Sequence, residues 1–272
     1  MLLQRTLTAL LLAPLAILAI LLPPTWLFAP VAAVVFLAAL WEWTRLSGLR
    51  DRPVRSGLLG VALLVFALLW WLRATVLWPV LLIAGVAWWV LACVWLKHFA
   101  FAAAPTTENR NLKLAAGAFV LFPAFVGLLT IHGSEPYGHW WTLLALLIVW
   151  AADIGAYFSG RFLGKRKLAP NISPGKTWAG VYGAFVAGAL VAVVGGWLLG
   201  AQGVHLVGLA VLAVLTVAAS VVGDLIESLM KRHAQVKDSG RMFPGHGGLL
   251  DRMDSVFAAV PVFALGKLLL GL

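Results

Sequence analysis

Residues 203–254 read GVHLVGLAVLAVLTVAASVVGDLIESLMKRHAQVKDSGRMFPGHGGLLDRMD, and this stretch decides the fold. Its first part, 203–229, is long and apolar enough to cross a bilayer, which takes about 20 apolar residues in a helix. Its end opens a second apolar run, 252–271. Between and against the two runs stand Lys231, Arg232, Lys237, Asp238, Arg241, His246, Asp251, Arg252 and Asp254. Charges beside spanning segments are expensive unless they handle something charged. Basic residues suit phosphate oxygens, carboxylates suit a divalent cation, and the glycine-rich turn at 244–248 lets backbone approach a ligand. The stretch points to phosphate chemistry at a membrane surface.

Composition agrees. The chain is 62% hydrophobic and 11% charged, with a mean hydropathy of +0.99. A soluble domain carries about 25% charged residues, so the expected class is an all-α, polytopic integral membrane protein. The single cysteine, Cys93, lies in an apolar run and excludes an intrachain disulfide framework. Tryptophan pairs such as Trp70–Trp71, Trp88–Trp89 and Trp140–Trp141 suit the water–lipid interface.

About nine spans are expected, near 5–22, 25–46, 56–73, 75–96, 113–130, 139–161, 178–200, 203–229 and 252–271, the first two divided at Pro23–Pro24. The first is expected to be a retained span rather than a signal peptide, because its leading segment has only Arg5 and a second span follows almost at once. With the N-terminus cytoplasmic, all the lysines and arginines except Arg73 and Lys267 fall on the cytoplasmic side. The net charge of +10 is then explained without nucleic acid. The cluster Arg45 to Arg55 reads as this inside-positive bias and nothing more.

The chain divides by where its acids lie. Residues 1–110 hold Glu42, Asp51 and Glu108, near expected loops, and read as scaffold helices. Residues 111–272 form the reactive part, because from Asp153 onward the acids enter or abut the spans. Asp153 lies inside the sixth span with Tyr157 one turn further on the same face, and an intramembrane acid needs a partner, a cation or water. The segment 164–177 is expected on the cytoplasmic side. Its Ser173-Pro174-Gly175-Lys176-Thr177 reads as a turn feeding a helix start, where free N–H groups attract anions. Lys176 and Thr177 match the end of a P-loop, but the upstream glycine spacing and a parallel sheet are missing.

In the opening stretch Asp224, Glu227 and Lys231 share one helical face at the cytoplasmic end, with Ser220 a turn earlier. Asp251 and Asp254 share a face on the first turns of the ninth span. Two helix ends thus offer converging carboxylates among lysines and arginines, which suits Mg²⁺ held by a few carboxylates plus substrate phosphates. An ion-pair network would satisfy the same acids. His246 suits a ligand, a base or a loop-positioning group. His98, His132, His139, His205 and His233 show no ligand spacing and read as peripheral.

At these residues the chain resembles the phosphatidate cytidylyltransferases, or CDP-diacylglycerol synthases. The family signature is met by Ser228, Lys231-Arg232, Lys237-Asp238, Pro244, His246-Gly247-Gly248, Asp251-Arg252 and Asp254. Asp153-x-Gly-Ala-Tyr157 and the run from Lys167 through Ser173-Pro174 to Lys176-Thr177 also look like family motifs in the expected order. The resemblance covers about 150–260 strongly. In one departure, Ala179 stands where relatives usually carry a glutamate; if that glutamate holds a lysine or the metal, Glu227 or Asp153 would have to compensate.

The resemblance implies the reaction of CTP with phosphatidate to give CDP-diacylglycerol and pyrophosphate, at the inner membrane with the site facing the cytoplasm. The resulting expectation is in-line transfer with Mg²⁺ held by Asp224 and Asp251, and with Asp254 and Asp153 supporting it or holding a second cation. Asp224, Asp251, Lys231, Lys237 and His246 form the expected catalytic set. Lys176, Thr177, Ser173, Arg232, Asp238, Gly247, Gly248, Arg252 and Tyr157 are the expected substrate-binding residues. A homodimer fits the family, though nothing in the spans demands one. Two other readings compete. A CDP-alcohol phosphotransferase is disfavoured by the missing DG-x-x-A-R motif. A transporter of phosphorylated anions is disfavoured because polarity is confined to the second half and one face.

Overall fold

The computed structural model describes residues 13–242 and 247–272; Arg5 and His246 lie outside them. Proline, glycine and polar caps set the helix limits. Residues 13–21 are helical (α1) and end before Pro23–Pro24, which opens α2, Thr25–Leu46. Asp51 Oδ1 accepts the N–H of Val54 at 3.4 Å and caps α3, Arg52–Trp71, so this acid is a helix cap rather than a loop charge. Then follow α4, Leu77–Lys97, and α5, Thr107–His132, capped by Thr106 through the Asn109 N–H at 3.2 Å. The remainder is α6 Gly138–Leu163, β1 Lys167–Ala169, β2 Ser173–Thr177, α7 Trp178–Leu198, α8 Val204–His233 and α9 Leu250–Leu270.

Among the described residues eight helices, α2 to α9, are long and apolar enough to cross a membrane. Each falls within two turns of an expected span. The chain is an all-α polytopic membrane protein, and the one sheet among the described residues is the small antiparallel hairpin of β1 and β2.

Packing, rather than aversion to water, holds such helices together in lipid. The most enclosed are α5 and α9. Phe36 of α2, Phe66 of α3, Phe125 of α5 and Phe257 of α9 interlock there: the Phe36 ring stands edge-on 5.0 Å from Phe257 and 5.7 Å from Phe125. Such pairs contribute about 0.5–1.5 kcal/mol each beyond area burial.

Two readings of polar residues change. Arg55 is buried, donates from Nε to Thr44 Oγ1 at 3.0 Å and lies over the Trp41 ring, so it fastens α3 to α2 as well as adding charge. His132 and His139 are not peripheral. They stack at 4.1 Å, and their ring nitrogens reach the carbonyls of Ile20 and Leu21 at 3.0 Å each, satisfying the last turn of α1.

Helix α8 positions the chemistry. Its 30 residues span about 45 Å, while the hydrocarbon layer is about 30 Å thick. One end must project, and the polar end is Asp224–His233. At Gly223 the helix runs so close to α9 that a Cβ would lie 2.5 Å from the Asp254 carbonyl. That contact sets the end of α8 against the start of α9.

Candidate active site

Four elements meet at one end of the bundle. The last turns of α6 carry Asp153, Tyr157 and Arg161, β2 carries Lys176, the end of α8 carries Asp224 to Arg232, and α9 opens with Asp251, Arg252 and Asp254. They enclose two adjoining cavities. One, of about 430 Å³, is lined by Asp153, Asp224, Ser228, Lys231, Arg232, Lys237, Asp238, Asp251, Arg252 and Asp254. The other, of about 400 Å³, is walled mainly by apolar residues such as Ala156, Leu168, Val181, Ala184 and Val221, with Tyr157, Arg161 and Lys176 among them. Asp153, Asp224 and Ser255 line both, so two carboxylates lie between a chamber of mixed charge, in which aspartates alternate with lysines and arginines, and an apolar one.

The charges on this wall are paired in a definite order. Lys176 Nζ lies 2.6 Å from Asp224 Oδ2, with both side chains part-exposed. Ser228 Oγ donates to Asp224 Oδ1 at 3.3 Å. Lys231 is held between two acids: it pairs with Glu227 one turn back and donates to Asp251 Oδ1 at 2.7 Å. Thus the face read as Asp224, Glu227 and Lys231 splits. Asp224 opens on the cavities, whereas Glu227 is buried and serves Lys231.

Asp251 stands apart from the ligand role expected of it. Its Oδ1 receives Lys231, and its Oδ2 accepts from Ser239 N at 2.9 Å, Ser239 Oγ at 2.9 Å and Gly248 N at 2.7 Å. A carboxylate with both oxygens so occupied reaches a cation only by giving up bonds. Asp254 and Asp153 are freer. Asp254 Oδ1 accepts the Ser255 N–H at 2.7 Å, and among the described residues Asp153 receives no side-chain or backbone hydrogen bond.

Other expected ligands also make contacts within the chain. The segment 173–177 is a strand rather than a turn: Ser173 pairs with Ala169 and lies outside both cavity walls. Thr177 is buried and its Oγ1 accepts the N–H of Gly180 at 3.1 Å, capping α7, so that helix start spends its anion-attracting N–H on its own cap. Gly247 and Gly248 do allow close approach, but to carboxylates of this chain. Gly247 has φ +84, and a Cβ on it would lie 2.6 Å from Asp251 Oδ2. Tyr157 Oη accepts from Arg161 Nη1 at 2.6 Å. Arg232 Nε donates to the Ile172 carbonyl at 3.1 Å, tying α8 to the hairpin.

Three participants escaped the sequence reading. Arg161 and Ser255 line the cavities without belonging to the quoted motifs. Glu42, assigned to the scaffold, lies buried under the loop that leads into α9. Its signal was present, because it falls inside the expected span 25–46, where a carboxylate calls for a partner.

The donor set is chemically suited to a hard divalent cation. Among the described residues no group of three acidic, histidine or cysteine side chains is placed to hold a metal ion by itself. Mg²⁺ does not need one, since it keeps waters, takes one or two carboxylates and is completed by substrate phosphates. Asp224, Asp254 and Asp153 offer carboxylate oxygens on the wall of the charged chamber.

A membrane-embedded site that sets paired acids among lysines and arginines at helix ends defines a phosphate-handling integral membrane enzyme. Residues 3–269 match the profile of the cytidylyltransferase family, and the chain belongs to it as a nucleotidyltransferase. It is 42% identical to a phosphatidate cytidylyltransferase of Pseudomonas aeruginosa, over 97% of this chain and 96% of that one. It is 38% identical to one of Haemophilus influenzae over 97% and 98%, and 37% identical to one of Brucella suis over 89% and 86%.

Proposed function

We propose that the chain transfers CMP from CTP to phosphatidate, giving CDP-diacylglycerol and pyrophosphate, at the cytoplasmic face of the inner membrane. The observation that carries this reading is the shared wall. A chamber whose Lys231, Arg232, Lys237 and Arg252 stand among five aspartates suits a triphosphate together with a divalent cation, and an apolar one with Lys176 and Arg161 suits a lipid phosphate. Asp153, Asp224 and Ser255 stand where the two would meet. The acyl chains remain in lipid while the headgroup enters. The closeness of the relatives supports the same substrates.

In this reading the phosphatidate oxygen attacks the α-phosphorus of CTP in line with the pyrophosphate leaving group. A phosphate monoester is already largely ionised at pH 7, so no general base is required. Two polyanions have to meet, and neutralisation and positioning supply the rate. Lys176, freed from Asp224, and Arg161 draw in the lipid phosphate. Arg232, Lys237 and Arg252 hold the triphosphate, with Lys231 oriented by Glu227 and Asp251 towards the leaving group. Asp224, Asp254 and Asp153 would hold Mg²⁺, with Asp251 anchoring the loop beside them. The ion, when bound, neutralises phosphate charge. Ala179 removes the family's usual acid near Lys176, and Asp224 takes up that lysine here. His246 keeps its catalytic assignment, and the homodimer its place, on the resemblance to the family alone.

The test is pyrophosphate release by the purified protein in detergent with CTP, phosphatidate and Mg²⁺, omitting each in turn. Release that needs all three, with a CDP-lipid product, is expected. Well-folded protein that releases none would sink the reading.

A further inference from the structure

Glu42 sits in α2, far in sequence from every motif of the reactive half, yet among the described residues its carboxylate is hydrogen-bonded only by Ser239, Leu249 and Leu250. Oε2 accepts from Leu250 N at 2.8 Å and from Ser239 Oγ at 2.8 Å, and Oε1 accepts from Leu249 N at 3.2 Å. The side chain is buried, and among the described residues no lysine or arginine pairs with it. Its charge is met by N–H groups of the first turn of α9 and by one hydroxyl, an arrangement favoured by the helix dipole. Gly248 lets this happen, since a Cβ there would lie 2.5 Å from Oε1.

The same hydroxyl faces the catalytic side. Ser239 Oγ is 2.8 Å from Glu42 Oε2 and 2.9 Å from Asp251 Oδ2. One hydroxyl hydrogen serves one carboxylate at a time, so the position of Ser239 is shared between Glu42 and Asp251. Asp251 in turn holds Lys231. A continuous path of hydrogen bonds therefore runs from a scaffold helix to a lysine in the charged chamber. Joining α2 to α9 does not need it: Phe36 and Phe257 already do that through packing.

We infer that Glu42 is a positioning residue for the transfer reaction, fixing Ser239 and the first turn of α9 so that Asp251 holds Lys231 towards the triphosphate. This rests on the function proposed above. Glu42 touches no substrate in this assignment and acts through Ser239, the first turn of α9 and Asp251.

The test compares wild type, Glu42→Gln, Ser239→Ala, Ser239→Thr and the Glu42→Gln/Ser239→Ala pair in the pyrophosphate assay, with hydrogen exchange followed on the peptide containing Leu249 and Leu250. Glu42→Gln keeps shape but offers one acceptor oxygen to three donors. It should lower kcat about 10- to 100-fold, as misplacement of a catalytic group does, with KM for CTP and phosphatidate nearly unchanged and faster exchange at the start of α9. Ser239→Thr should restore most of the activity that Ser239→Ala loses, and the double variant should lose less than the product of the single losses. Wild-type kcat in folded Glu42→Gln would overturn the inference, as would a loss that tracks only the fraction of folded protein. If Glu42→Gln does not fold, full activity in Ser239→Ala overturns it. Inactive wild type refutes the reaction instead, and unchanged exchange in Glu42→Gln then refutes the positioning role separately.

Discussion

Lys176 and Asp224, on the hairpin and on α8, hold each other at 2.6 Å, the lysine in the apolar cavity and the aspartate on the wall shared by both. In the proposed reaction each is the partner the other gives up when substrates arrive: phosphate suits the lysine and a cation suits the aspartate. A pair this accessible contributes little to folding, about 0–1 kcal/mol, so its removal reads out chemistry rather than stability.

Lys176→Met should therefore move two quantities in opposite directions. Transfer should fall about 100-fold for loss of a charged phosphate contact. Binding of Mn²⁺ without nucleotide, titrated by the EPR signal of the free ion, should tighten severalfold because a competing charge has gone. Unchanged Mn²⁺ affinity would remove Asp224 from the metal site.

Asp251→Asn separates an anchor from a ligand. The amide nitrogen cannot accept, so the variant loses half of an acceptor set that now serves Lys231, Ser239 and Gly248. Turnover should fall about 100-fold or more, since breaking a hydrogen-bonded charge pair frees Lys231 from its orientation. Mn²⁺ affinity should stay within a few-fold of wild type. A loss of metal binding as large as the loss of turnover would return Asp251 to the ligands.

Asp254→Asn and Asp153→Asn test the oxygens left open on the wall. Each should raise the Mg²⁺ concentration for half-maximal activity about tenfold, as loss of one carboxylate from a sparsely held ion weakens it. Saturating Mg²⁺ should recover part of the rate. Activity that is lost at every Mg²⁺ concentration, with unaltered Mn²⁺ binding, would assign these acids to substrate contact.

Eight of the expected spans and the meeting of α8 with α9 were legible because both rest on periodicity, while the first span, 5–22, lies partly outside the described residues. Twenty apolar residues specify a helix in lipid, and three- and four-residue spacing specifies a face. Which neighbour that face meets is not local information. Asp224 and Glu227 share a face, yet one turns to Lys176 and the cavities while the other is sealed against Lys231. The hairpin was missed because β1 and β2 are three and five residues long, with Pro174 in the second, and alternation cannot declare itself over so short a run. Asp251 looked like a free ligand because its four donors come from Lys231, Ser239 and Gly248, brought together only by the loop. Glu42 was hidden by its place at the end of a span, where a charge ordinarily snorkels to water.

The two chambers predict a clean division of Michaelis constants. Of the two cavities, Arg161 lines only the apolar one, where it donates to Tyr157 Oη, and Lys237 lines only the charged one. Arg161→Ala should raise KM for phosphatidate about tenfold, the effect of losing one charge-assisted contact, and leave KM for CTP alone. Lys237→Ala should do the reverse. Substrate-dependent pyrophosphate release, with phosphatidate presented in mixed micelles, measures both constants in one experiment. If each variant instead weakens both substrates equally, the cavities are one site, and the wall of Asp153, Asp224 and Ser255 does not partition nucleotide from lipid.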